Sequence, residues 1–133
     1  MAKCSVAIAG GAIIVAVLAS VPSVVSAVAP EEFVARTTQD LVDLCAATPD
    51  DPARVPAIHF CEGYIAGATA HHQVVRAALG RGPDFCPPQP PPTRDQAVAL
   101  FVQWAKSNGQ YMKEAAIDGL FRFLETTWPC RKP

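Results

Sequence analysis

The sequence predicts an all-α protein: a compact four-helix up-down domain with two disulfides and a Pro-rich connection between helices two and three. Three observations predict it. Apolar residues recur at steps of three and four, and no period-two alternation competes with them. Hydroxyl and acidic caps, with Gly and Pro stops, cut those stretches into four. Four cysteines remain once an apolar leader is set aside, and an even set in a short exported chain reads as a disulfide framework.

A chain of 133 residues is long enough for one domain. Its formal charge of −1, from 11 Lys+Arg against 12 Asp+Glu, lacks the basic excess of a nucleic-acid binder. Half the residues are hydrophobic, and the excess is concentrated at the start. Residues 1–27 carry Lys3 alone as a charge, then an apolar run from Val6 to Val21, a break at Pro22-Ser23, and the small residues Val25-Ser26-Ala27. This is the pattern of a signal peptide cleaved after Ala27. Ala27-Val28-Ala29 also fits a cleavage site, but would leave Pro30 at the new terminus. An uncleaved membrane anchor is the competing reading, since the run approaches the roughly 20 residues that span a bilayer. With cleavage, residues 28–133 form the domain and the membrane is met only through the leader. Cys4 departs with the leader, leaving Cys45, Cys61, Cys86 and Cys130.

Helix one opens at Thr37-Thr38-Gln39-Asp40, where hydroxyls cap and an acid enters the first turn. Leu41, Leu44 and Cys45 share a face, and the helix should end near Ala47. Thr48 to Pro56 is a loop with three prolines. Helix two is expected from about Ala57 to Leu79, with Cys61, Ile65, Ala68, His72, Val75 and Leu79 as its stripe. Gly63 and Gly67 stand one turn apart inside it. Each costs a helix roughly 1 kcal/mol against alanine, and close approach by another helix is the expected compensation. Residues 80–92 form the connection, stopped by Gly80, Gly82 and Pro83 and stiffened by Pro87-Pro88-Gln89-Pro90-Pro91-Pro92. A strap across the end of the bundle is preferred to an SH3-like docking motif. Thr93-Arg94-Asp95-Gln96 is a capping box that opens helix three. Ala97, Phe101 and Trp104 share its face, with Val98 and Ala105 beside them. Ser107-Asn108-Gly109 closes it. Helix four should run from about Tyr111 to Thr127, burying Met112, Ala116, Leu120, Phe123 and Thr127, flanked by Ile117, Phe121 and Leu124.

Up-down topology selects among the three pairings that four cysteines allow. Cys45 and Cys61 fall at one end of the bundle. Helix two then descends roughly 27 Å at 1.5 Å per residue, which carries Cys86 to the end where Cys130 arrives. Disulfides need alpha carbons within about 7 Å, so Cys45–Cys61 and Cys86–Cys130 are expected. Their closures of 16 and 44 residues are worth roughly 3 and 4 kcal/mol in the chain-entropy model. A four-cysteine zinc site would show C-x2-4-C pairs, whereas the intervals are 16, 25 and 44.

No catalytic constellation is legible. His71 and His72 are adjacent, so they point about 100° apart on a helix rather than sharing the i, i+4 face that a metal needs. His59 lies three turns away, and His72 reads as a core or rim histidine. A Cys–His nucleophile needs a free thiol, and the cysteines are committed. There is no G-x-S-x-G, phosphate loop or H-E-x-x-H, and Asp95, Glu114 and Glu125 read as helix-surface charges. No catalytic residue, metal or cofactor is expected, and a binding protein is favoured over an enzyme.

The segments Leu41…Cys45, Phe60-Cys61-Glu62-Gly63-Tyr64-Ile65-Ala66-Gly67, Phe85-Cys86-Pro87-Pro88 and Trp128-Pro129-Cys130 resemble the Rap/Tai immunity family of type VI secretion systems. The resemblance covers about Thr38 to Cys130, and Cys-x-Gly-Tyr-Ile-x-Gly with the closing Pro-Cys is its most specific part. It implies a small, helical, disulfide-bonded periplasmic protein that binds a peptidoglycan amidase effector and occludes its active site. Gly63, Tyr64, Gly67, Pro87 and Pro129 are motif residues of structural character. The resemblance names no contact residue for the partner and leaves a homodimer open. The alternative is a general periplasmic helical binding or chaperone-like protein without an amidase partner.

Overall fold

The computed structural model describes residues 27–130. The expected leader, apart from Ala27, lies outside the described residues. Four helices follow one another: α1 (Thr38–Cys45), α2 (Arg54–Ala78), α3 (Arg94–Ser107) and α4 (Ala116–Thr127), with 3-10 turns at Pro30–Val34 and Gly109–Tyr111. Among the described residues no strand forms; Thr37 with Ala115 and Phe85 with Pro129 make isolated antiparallel bridges.

Helix α1 starts as its cap predicts. Thr37 Oγ1 accepts from the Asp40 N–H at 3.2 Å, and Asp40 Oδ2 accepts in return from the Thr37 and Arg36 N–H groups, each at 3.0 Å. Those backbone bonds, the Thr37 one first, hold the Asp40 carboxyl below its ordinary range. Thr38, Leu41, Val42, Leu44 and Cys45 are all buried. These five residues form one broad face that packs on α2, α3 and α4, with Gln39, Asp40 and Asp43 on the opposite side.

Helix α2 begins at Arg54, three residues before the expected start. Pro56 lies in its first turn, where the missing N–H has no intrahelical partner to lose. Arg54 Nη1 donates to the Ala47 carbonyl at 2.6 Å and closes the α1–α2 loop. Helix α3 opens on the expected capping box: Thr93 Oγ1 accepts from the Gln96 N–H, and the Gln96 side chain accepts from the Thr93 N–H at 2.9 Å. Its buried line is Val98, Phe101 and Ala105, with Ala97 and Trp104 half-buried beside it.

Helix α4 starts at Ala116, five residues after the expected Tyr111. The intervening carbonyls are used elsewhere. The Met112 carbonyl accepts from the Gln39 N–H at 3.0 Å, and the Glu114 carbonyl from the Thr38 N–H at 2.8 Å. These are first-turn donors of α1, which have no partner within their own helix. Carbonyls turned toward α1 cannot also close a helical ladder. The buried face of α4 is Ala116, Gly119, Leu120, Phe123 and Leu124. Met112 and Thr127, expected in that stripe, are half-buried, and Ile117 is exposed.

The close approach expected at Gly63 and Gly67 is not there. Both face solvent, and a Cβ at either would meet nothing within 4 Å. It occurs instead at Gly119, where a Cβ would overlap the Thr38 side chain. The disulfides pair as expected, Cys45–Cys61 and Cys86–Cys130, with alpha carbons 5.2 and 4.9 Å apart. Leu41, Leu44, Phe101, Leu120 and Phe123 form the fully buried centre. Phe123 packs on Phe101 and Trp128, with centroids 5.4 and 5.5 Å away.

Candidate partner-binding surface

The 25 residues of α2 extend about 37 Å, whereas α1 extends only about 12 Å. Partner helices therefore leave the end of α2 uncovered, the last contact being Phe121 of α4 against His72. Its buried residues are Ala57 and Cys61. Further along the predicted stripe Ile65, Ala68 and His72 are half-buried, then Val75 and Leu79 emerge. Val74 is 68% exposed and Leu79 60%, so the projecting half presents apolar side chains to solvent.

The connection to α3 braces one side of this projection. Phe85 is buried, and His72 lies between it and Phe121, with centroids 5.9 and 4.5 Å away. Asp84 binds Arg76 Nη2 at 2.8 Å. Its other oxygen faces His72 Nε2 at 3.0 Å, off the line of a hydrogen bond. Arg76 Nε donates to the Gly82 carbonyl at 2.8 Å. The Cys86 N–H donates to the Trp128 carbonyl at 2.7 Å, beside the disulfide to Cys130. The expected strap is real, but it grips the flank of α2 through Asp84 and Phe85 rather than through its prolines. A hollow of about 210 Å³ remains between Arg76, Arg81, Pro83 and Phe85.

A second concavity separates α2 from α3, which meet over a much shorter stretch than α1 and α2. It is an open cleft of about 720 Å³ with Ile58, Val98 and Val102 on its walls. Arg54, Glu62, Asp95 and Lys106 stand along it, two of each sign, so it has no net charge preference.

The predicted residues are not gathered into a reactive centre. His59 is largely exposed, with Nδ1 3.9 Å from Glu62. His71 is exposed, and His72 belongs to the brace. Among the described residues no three His, Cys, Asp or Glu side chains cluster as metal ligands. Of the motif residues, Tyr64 is half-buried and stacks on Phe60 at 6.3 Å, and Phe60 meets Phe33 at 5.8 Å. Burial first, then the Asp118 charge, push the Tyr64 hydroxyl up. Pro129 pairs with the backbone of Phe85. Asp84 and Arg76 escaped the sequence reading because a lone loop acid and a helix-surface arginine carry no periodic signal. The spacing of Arg76 four residues after His72 was the only available hint.

Set against known families, residues 37–130 match the model of the Rap1a immunity proteins. No curated protein and no solved structure matches the chain.

Proposed function

The chain belongs to the Rap1a immunity protein family, and from that membership we propose that it binds a type VI peptidoglycan amidase effector and occludes its active site. The family match across all four helices and both disulfides carries this reading. The compartment follows from the target: peptidoglycan lies outside the inner membrane, so the inhibitor must be exported to meet the enzyme. A leader removed after Ala27 would deliver it to the periplasm, where paired cysteines persist. The projecting half of α2 is the contact surface in this reading. Val74, Val75 and Leu79 stand clear of the core, while Arg76 is held by Asp84 beneath them. A rigid apolar ridge of this kind can enter an enzyme cleft at little entropic cost.

Co-expression in the periplasm with an amidase effector provides the test. The expected results are a complex that survives purification and cells that resist lysis. A folded protein that neither binds nor protects against any type VI amidase effector would overturn the reading. Inhibition by occlusion needs no chemistry from the inhibitor. A folded variant carrying both His71→Ala and His72→Ala should therefore retain protection, and its loss would argue for a reactive role.

A further inference from the structure

Val28, the residue after the expected cleavage point, already touches a carboxylate. Its backbone N–H donates to Asp51 Oδ2 at 2.7 Å. Asp51 is held in place from the other side, because Oδ1 accepts from the Ala53 N–H at 2.7 Å and its carbonyl from the Arg54 N–H. The Val28 side chain packs against the edge of the core. Glu32 from the first 3-10 turn and Asp43 from α1 line the same hollow of about 200 Å³ as Val28 and Asp51. Asp50 lines an adjoining one beside Ala27. Four carboxylates thus converge from three segments, and no basic side chain lines either hollow. Burial first holds Glu32 above its ordinary range, with the Asp43 charge adding to it. Burial, with a smaller contribution from Asp40, raises Asp43 likewise.

In the unprocessed chain Val28 offers this acidic site only a neutral amide. We infer that leader removal supplies the missing cation, the mature α-ammonium of Val28 forming an ion pair with Asp51 that locks the amino terminus onto the α1–α2 loop. This rests on the proposal that the leader is cut after Ala27. The chemistry is peptide hydrolysis by a signal peptidase. The Ala27–Val28 bond breaks, water gives hydroxide to the Ala27 carbonyl carbon and a proton to the Val28 nitrogen, and the amine takes a further proton at neutral pH. The acceptor is charged before and after cleavage; what cleavage adds is a full positive charge on a donor already 2.7 Å away, which turns a one-sided charge-assisted bond into an ion pair.

Two measurements on protein exported from the full-length gene separate the two ideas. Amino-terminal sequencing should read Val28; Pro30 or an intact leader would overturn both the cleavage point and the pairing. The second uses a glycine inserted between Ala27 and Val28, with the new terminus verified in the same way. The insertion keeps the Val28 N–H as a donor but moves the charge about 3.8 Å away. At pH 6 it should lower the melting midpoint by roughly 4–8 °C. A paired ammonium has its folded pKa raised above the roughly 7.7–8.0 of a free α-amine. Its stabilisation is therefore complete below that range and lost as pH rises through the folded value, so the two proteins should converge in alkali. In an Asp51→Asn background, which keeps an acceptor for Ala53, the insertion should lower the midpoint by less than half as much, the remainder coming from Glu32, Asp43 and Asp50. A Val28 start combined with a pH-independent effect, with no effect at pH 6, or with half the effect or more retained in Asp51→Asn would overturn the pairing alone.

Discussion

A methyl group on Gly119 would overlap the side chain of Thr38, and that one contact sets how closely α4 lies on the start of α1. Thr38 is fully buried, and its hydroxyl donates to the carbonyls of Glu114 and Ala115 at 3.3 and 3.2 Å. It cannot retreat without stranding a buried polar group. Gly119→Ala should therefore cost about 1–3 kcal/mol through overpacking. Gly67 is the opposite case, a helical glycine open to solvent. Gly67→Ala should stabilise by about 0.5–1 kcal/mol. Thermal melts of the two variants should move in opposite directions, and shifts of the same sign would contradict the assignment. The paired glycines of α2 had drawn the close-contact expectation because their i, i+4 spacing is visible in the sequence. A solitary glycine on an amphipathic helix has no such signature.

At the scale of elements, capping and covalent closure decide what holds. Asp40 caps α1 from a half-buried position, and its worth is read from pH rather than from a summed energy. Its folded pKa is depressed, so its stabilisation is present above the ordinary value of about 3.9 and disappears as pH falls through the folded value. Asp40→Asn should lower the melting midpoint at pH 7, and the gap should shrink in acid; a gap constant down to pH 2 would contradict a charged cap. The connection between α2 and α3 is held by Cys86–Cys130, the Cys86 N–H bond to Trp128, Phe85 and the Asp84–Arg76 pair. Replacing both Cys86 and Cys130 with serine should open residues 80–92 and the carboxyl terminus to protease first. Doing the same at Cys45 and Cys61 should direct early cuts to the α1–α2 loop. Identical cleavage patterns would show that the disulfides do not act locally.

Over the whole molecule, α2 joins a packed half to an exposed half, and the two should respond differently to mutation. Leu79→Asp or Val75→Asp should leave the melting midpoint within a degree or two, since neither side chain belongs to the core. Either should weaken effector binding at least tenfold, which corresponds to about 1.4 kcal/mol. Val34→Asp, exposed in the first 3-10 turn, is the matched control and should bind normally. Equal weakening by Val34→Asp would move the interface away from the projecting end of α2.

Periodicity, caps and stops were enough to establish four helices, the capping boxes at Thr37 and Thr93, the Pro-rich connection and the pairing of all four cysteines. Each is a short-range property: a turn of hydrogen bonds, a repeat of apolar residues, or the reach of a chain between two ends of a bundle. The most specific part of the family motif, Cys61 to Gly67, was legible for the same reason, since it is continuous in the sequence. Tertiary structure decided the rest. Where α4 begins depended on α1 claiming the carbonyls of Met112 and Glu114. Which glycine mattered depended on Thr38, 81 residues from Gly119. How far the apolar stripe of α2 stays covered depended on the reach of its neighbours, with Phe121 of α4 and Phe85 of the connection meeting it last at His72. The bonds from Arg76 to Asp84 and from Val28 to Asp51 likewise join residues whose local sequence gives no sign of the other. A helix's own sequence states which of its faces is apolar; only the dimensions of its neighbours determine how much of that face is buried.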